Sequence, residues 1–182
     1  ALTGSISGVV TDEATGDALQ GVCVYAYSPS SGWVLDSAQT GSDGAYTIEG
    51  LPGGDYKAYF WDCNFPYEYA SEYYNDKPDR DSADLISVTP GTDTGGIDAA
   101  MAVGGTISGV VTDEGTGDPL ANICVDVVDS NYNWMSSGYT DAAGNYTAGG
   151  LSAGDFKVRF NDCNGPQTYA MEWYSDKPAF GS

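Results

Sequence analysis

Histidine is absent from this 182-residue chain, and positive charge is scarce: six Lys or Arg stand against 26 Asp or Glu, a net charge of −20. The missing imidazole excludes histidine general bases, Ser–His–Asp triads and the commonest zinc ligand. The charge imbalance repels phosphate backbones and argues against nucleic acid as a partner. No apolar run approaches the roughly 18 residues that a membrane span needs, so no membrane insertion is expected. Four cysteines occur, Cys23, Cys63, Cys124 and Cys163, and none forms a C-x-x-C pair, which disfavours zinc ribbons and thioredoxin-like chemistry. Charged residues are only 18% of the chain and hydrophobic ones 41%, a globular composition and not an acidic tail.

What is present is an internal repeat. Ser5–Tyr27 matches Thr106–Val128 with 14 identities in 23 positions, and Thr40–Pro78 matches Thr140–Pro178 with 21 in 39. A period near 100 residues is a domain-scale unit, so two homologous domains are expected in tandem, 1–103 and 104–182. Cys23 corresponds to Cys124 and Cys63 to Cys163. Each domain therefore carries its own pair, and disulfides Cys23–Cys63 and Cys124–Cys163 are expected, in an oxidising, extracellular or cell-surface setting. Strand parity agrees: Ile123, Val125 and Val127 read as inward, which turns Cys124 and Asp126 outward. Both halves are acidic, so the charge belongs to the surfaces of both domains.

No helical period is found. Short alternating runs separated by Gly, Pro, Asp and Ser predict an all-β fold. In domain one, strands are expected at Ser5–Thr11, Gly21–Tyr27, Trp33–Thr40, Ala45–Glu49, Asp55–Trp61, Asp84–Thr89 and Gly96–Val103. Seven or eight strands in about 100 residues suggest a two-sheet sandwich around one core.

The combination S-G-V-V-T-D-E-x-T-G-D-x-L with a later V, then T-x-x-x-G-x-Y-T, then G-L-x-x-G-D-[YF]-K-x-x-F, resembles the carboxypeptidase regulatory-like domain family. The resemblance implies a prealbumin-like (Ig-like) β-sandwich in each domain. It implies a non-catalytic spacer, stalk or adhesion module, repeated in secreted and surface proteins of bacteria. Related stalk domains carry Lys–Asn crosslinks from a first-strand lysine. Here the lysines Lys57 and Lys157 fall on fifth strands instead, so no such crosslink is expected.

Three groups of residues are candidate sites. Asp12, Glu13 and Asp17 recur as Asp113, Glu114 and Asp118, and their clustered carboxylates offer hard oxygen ligands to calcium. The competing reading is an Asx-type turn in which Asp12 and Asp113 hold nearby N–H groups. No cofactor is required; calcium is the one candidate ion. Asp62 and Asp162, with Glu72, Asp76, Glu172 and Asp176, raise an acid–base reading. The alternative is pairing with Lys77 and Lys177 on a small scaffold without a cleft, and no enzyme is expected. Tyr69, Tyr73 and Tyr74, matched by Tyr169, Trp173 and Tyr174, are candidates for stacking on carbohydrate or anchoring a surface protein. Their competing reading is a structural flap folded over a sheet. Tyr25, Tyr27, Tyr59 and Trp61 read as outward aromatics of domain one only, because positions 126, 128, 159 and 161 are Asp, Val, Arg and Asn. Asn145-Tyr146-Thr147 is a glycosylation sequon in a turn.

Domain two contains no counterpart of domain one's last strands, so its sandwich is expected to be incomplete. Two explanations are open: a window from a longer array of neighbouring copies in cis, or strand exchange with another chain in trans.

Overall fold

The computed structural model describes residues 2–163, 168–174 and 177–178, the last two by their backbone alone. The chain forms two compact units, Ala1–Val103 and Gly104–Ser182. The described residues are all strand, turn and loop.

Unit 1 has nine strands: β1 (Gly4–Asp12), β2 (Val22–Tyr27), β3 (Val34–Gln39), β4 (Ala45–Leu51), β5 (Gly54–Asp62), β6 (Glu72–Tyr73), β7 (Ile86–Val88), β8 (Asp93–Thr94) and β9 (Ala99–Met101). One sheet runs β4–β1, with β8 and then β9 lying parallel to β1 on its other edge. The second runs β3–β2–β5, and β7 and β6 pair with the first and last parts of β5. Nine short strands therefore fill seven sheet positions, the prealbumin-like arrangement.

The period-2 patterning decides which side chains meet. Val22, Val24 and Ala26 of β2 are buried, as are Tyr56, Ala58 and Phe60 of β5. They face Ile6 and Val10 of β1 and Tyr46, Ile48 and Leu51 of β4 in one core, which β7 and the chain from Ile97 to Met101 complete. Tyr46 and Phe60 pack edge to face with centroids 6.0 Å apart. Each fully buried side chain of this size stabilises by about 1.5–3 kcal/mol.

Corners between the sheets are pinned locally. Thr40 is buried; its hydroxyl accepts from Val22 N at 2.9 Å and donates to the Leu19 carbonyl at 2.6 Å. The turn after it needs a left-handed residue, supplied by Gly44 at φ 74°.

Unit 2 repeats the first part of this plan with β10 (Gly105–Val110), β11 (Ile123–Asp129), β12 (Trp134–Tyr139), β13 (Asn145–Leu151), β14 (Phe156–Asp162), β15 (Glu172–Trp173) and β16 (Lys177–Pro178). Its sheets are β10–β13 and β12–β11–β14–β15–β16. Thr140 takes the role of Thr40, accepting from Ile123 N at 2.8 Å. Tyr146 and Phe160 repeat the edge-to-face pair at 5.6 Å. The buried core is smaller: Val125, Val127, Tyr146, Ala148, Leu151 and Val158, with Ile107, Val111, Phe156 and Phe160 only partly covered. Among the described residues, nothing stands where β7, β8 and β9 stand in unit 1.

Candidate functional site

Each unit is stapled once. Cys23–Cys63 and Cys124–Cys163 are bonded, with Cα atoms 5.8 and 5.7 Å apart. The bridge leaves the outward side of β2 or β11 and closes just beyond the end of β5 or β14. Beside it, Asp62 is buried and holds the following loop. Its Oδ1 accepts from Asn64 N, and its Oδ2 accepts from Glu68 N and Tyr69 N at 2.7 and 3.2 Å. Asp162 accepts from Thr168 N in the same way. Asp62 lines a hollow of about 220 Å³ with Leu19, Val22, Glu68 and Tyr69, but its oxygens are already occupied by backbone donors.

The acidic loop is a turn. Asp12 Oδ1 accepts from Ala14 N and Thr15 N, both at 2.8 Å, and Oδ2 accepts from the Tyr69 hydroxyl at 2.9 Å. The Thr15 N–H and the Tyr69 hydroxyl hold the Asp12 carboxyl below its usual range. Burial and the bond to Asp12 push the Tyr69 hydroxyl up to about 12. Asp113 repeats the turn with Gly115 N and Thr116 N, and Tyr169 with its hydroxyl bond. Glu13, Asp17, Glu114 and Asp118 lie exposed on the outside. The two sets of three therefore do not converge, and among the described residues no three His, Cys, Asp or Glu side chains are grouped to hold a metal ion. The Asx-type turn expected at Asp12 and Asp113 forms in both units, with the central carboxylates drawn inward by N–H and O–H donors.

The tyrosine-rich segment does not form one platform. Tyr69 and Tyr74 pack against the core edge of unit 1, whereas Tyr73, on β6, lies on the outer face. Instead of folding over a sheet as a flap, the segment adds to it as edge strand β6. In unit 2 Tyr169 and Tyr174 are exposed, and Trp173 stacks edge-on against Tyr132 at 5.6 Å with Arg159 nearby.

The outer face of β2–β5–β6 is aromatic. Tyr59 lies 4.7 Å from Tyr73, and Tyr27 lies 6.4 Å from both. Tyr25 joins Tyr59 at 6.4 Å to Trp61 at 6.5 Å, and Trp61 continues to Tyr67 at 5.7 Å. The parity of the sequence marked Tyr25, Tyr27, Tyr59 and Trp61 as outward; it did not reveal that Tyr73 joins them, because that depends on β6 pairing with β5. Unit 2 carries an ion pair on this face, Arg159 to Asp126 at 2.6 Å.

Glu72 departs from expectation. It does not pair with Lys77: its Oε1 is buried without a hydrogen-bond partner. Burial, with Asp76 and Glu13 nearby, pushes its carboxyl up to about 7. For the other expected pairing, Glu172 or Asp176 with Lys177, the side chains of Asp176 and Lys177 lie outside the described residues. The Lys57 ammonium donates to the carbonyls of Arg80 and Asp81. In the sequon, Asn145 is bonded to Asp141 and Tyr146 is buried, so the motif is a structural turn followed by a core residue.

The chain is 26% identical over 155 residues to the Serine-aspartate repeat-containing protein D of Staphylococcus aureus; the match covers 79% of this chain but 12% of that protein's length. The Bacillus anthracis TIE protein overlays 97% of this chain and 32% of its own at 17% identity and a TM-score of 0.40. A streptococcal ancillary pilin overlays 96% and 58% at 13% identity and 0.42. No helix is long and apolar enough to cross a membrane among the described residues. The model of the carboxypeptidase regulatory-like domain matches residues 5–70 and again 106–170, the same stretches that carry the staple, the turn and the inward pattern. The chain belongs to the carboxypeptidase regulatory-like domain family, of which it holds two copies.

Proposed function

We propose that this chain is a non-catalytic structural module of a secreted or cell-surface protein, a spacer or filament-forming element built from tandem disulfide-stapled repeats. The observation that carries this is the staple itself: one bridge per unit, at the same place in both. Such bridges belong to oxidising compartments, and each locks about 40 residues against extension. The acidic side chains Asp12, Asp62 and Asp113 hold turns and loops through backbone N–H donors. The 26% identity over 155 residues to a serine-aspartate repeat-containing protein is consistent with a place outside the cell. Single-molecule stretching tests the mechanical role. Oxidised chain should yield in two steps, each shorter than the step after reduction by the locked loop, about 3.3–3.6 Å per residue. Free thiols in the native protein, or steps that reduction does not lengthen, would sink this reading.

A second reading is favoured by the aromatic face of unit 1: a binding surface for carbohydrate or a surface protein. Four tyrosines, Tyr25, Tyr27, Tyr59 and Tyr73, present ring and hydroxyl together, the chemistry that stacks on sugar rings. A glycan array answers it. Binding lost in Tyr59→Ala and kept in Trp173→Ala supports it; no binding to any glycan leaves the structural reading alone.

A further inference from the structure

The rings on the outer face of unit 1 differ in how closely they approach. Tyr25 and Tyr27, Tyr25 and Tyr59, Tyr27 and Tyr59, and Tyr27 and Tyr73 each stand 6.4 Å apart between centroids. Tyr59 and Tyr73 stand 4.7 Å apart, with their planes inclined by 42°. Packed aromatic pairs span about 4.5–7 Å between centroids, so this pair lies at the short limit, with ring edges in contact. The register explains the approach. Tyr59 of β5 and Tyr73 of β6 are directly opposed in an antiparallel ladder, and Phe60 with Glu72 is the adjoining pair. Directly opposed residues project side by side from one face of a sheet. Tyr74 N donates to the Ala58 carbonyl at 3.1 Å, and Tyr73 exchanges two backbone hydrogen bonds with Lys77. These bonds hold the two rings at this separation.

Both rings are half-buried and keep contact with solvent. Burial raises both hydroxyls, that of Tyr73 to about 12. Both phenols are therefore neutral near pH 7, and each loses its proton when it loses an electron. Unit 2 carries no such pair, since the same register joins Arg159 to Trp173.

We propose that Tyr59 and Tyr73 are a site of oxidative crosslinking, joined between their ε carbons as dityrosine. The oxidant is hydrogen peroxide acting through a haem peroxidase. Each phenol gives up one electron and its hydroxyl proton. The two ring radicals couple Cε to Cε, and the hydrogen on each coupled carbon moves to the phenol oxygen. The rings lose two hydrogens in all, and one peroxide is reduced to two waters. Rings already in contact couple within the chain before either meets a ring of another molecule. The new bond closes the segment between β5 and β6 and fixes the two-residue edge strand β6 to the sheet, as a second staple beside Cys23–Cys63. The inference goes beyond both the spacer and the binding readings. It rests on ring geometry and holds whichever of them is right.

The test exposes the disulfide-intact 182-residue chain, in dilute solution, to hydrogen peroxide and a haem peroxidase. The expected product shows dityrosine fluorescence, stays monomeric on a denaturing gel and is lighter by two hydrogens. Its peptide map joins the segments carrying Tyr59 and Tyr73, and amide exchange slows at Tyr73 and Tyr74. Tyr59→Phe and Tyr73→Phe keep both rings in place and should each lower this intramolecular yield by about tenfold or more. Tyr25→Phe should leave it unchanged. Dityrosine that maps to other tyrosines, forms only between chains or persists in Tyr73→Phe overturns the proposal. So does its absence while the same peroxidase couples free tyrosine in a parallel reaction.

Discussion

The two units begin from nearly the same sequence and end with differently buried cores. The devices that act within a few residues or across one strand pair are reproduced in both. Asp12 and Asp113 make the same turn, Thr40 and Thr140 pin the same corner, and the disulfides span 40 and 39 residues. Burial is not reproduced. Phe60 is fully buried, whereas Phe160, in the same register against the equivalent tyrosine, is only partly covered. Local motifs are therefore self-sufficient, whereas the core around Phe60 also takes in β7 and the chain from Ile97 to Met101. The outer faces differ for the opposite reason. Positions 25, 59 and 61 carry aromatics and positions 126, 159 and 161 carry Asp, Arg and Asn on the same backbone ladders, because outward positions do not have to fill the core.

The largest expected effect comes from opening the staples one at a time. Each closes about 40 residues, worth roughly 4 kcal/mol in the chain-entropy model. Cys23→Ser with Cys63→Ser should leave unit 1 folded on its larger core. Cys124→Ser with Cys163→Ser should unfold unit 2. Urea titration followed by the tryptophans of each unit reads this, and equal sensitivity of the two units would break the comparison. Next, Phe60→Ala should cost about 3–5 kcal/mol, and Phe160→Ala roughly half of that, since it already keeps contact with solvent. Equal losses would mean that Phe160 is as fully covered as Phe60 in solution.

A smaller effect is tied to pH. The Glu72 carboxyl titrates near 7 in the folded chain and in the ordinary range when unfolded, so the folded state holds the extra proton between those values. This contribution is fully present below the ordinary carboxylate range and is lost as pH rises through about 7. Glu72 retains some solvent contact, so screening reduces the effect to about 1–2 kcal/mol. Glu72→Gln should raise the melting temperature of unit 1 at pH 8 and flatten its decline with pH, with Glu172→Gln as control. A decline that persists in the variant would place the proton elsewhere. Smallest is the ion pair unique to unit 2. Arg159→Met should cost at most about 1 kcal/mol, vanishing at high salt. A larger loss would show that the half-buried Asp126 depends on it.

Much of this was legible before any coordinates. The repeat assigned the cysteines to units, and the alternation of Val22, Val24 and Ala26 against Cys23, Tyr25 and Tyr27 gave both the core face and the aromatic face. Legibility failed where a side chain's partner lies far along the chain. The turn at Asp12 was legible from its neighbours, but its third partner, Tyr69, 57 residues away, was not. Glu72 or Asp76 was expected to pair with Lys77, but β6 leaves the Glu72 carboxyl buried without a hydrogen-bond partner on Oε1.

The sequence by itself determined the two-unit organisation, the inward and outward face of the long strands, the staples and the turns, because each depends on spacing within a strand or on repetition. Tertiary structure alone decided that nine strands share seven places, that Asp93 accepts the hydroxyls of Ser5 and Ser7, and that Tyr73 rather than Tyr69 joins the outer rings. Those outcomes depend on strands from distant parts of the chain lying side by side, and strand pairing leaves no periodic trace in either partner's sequence.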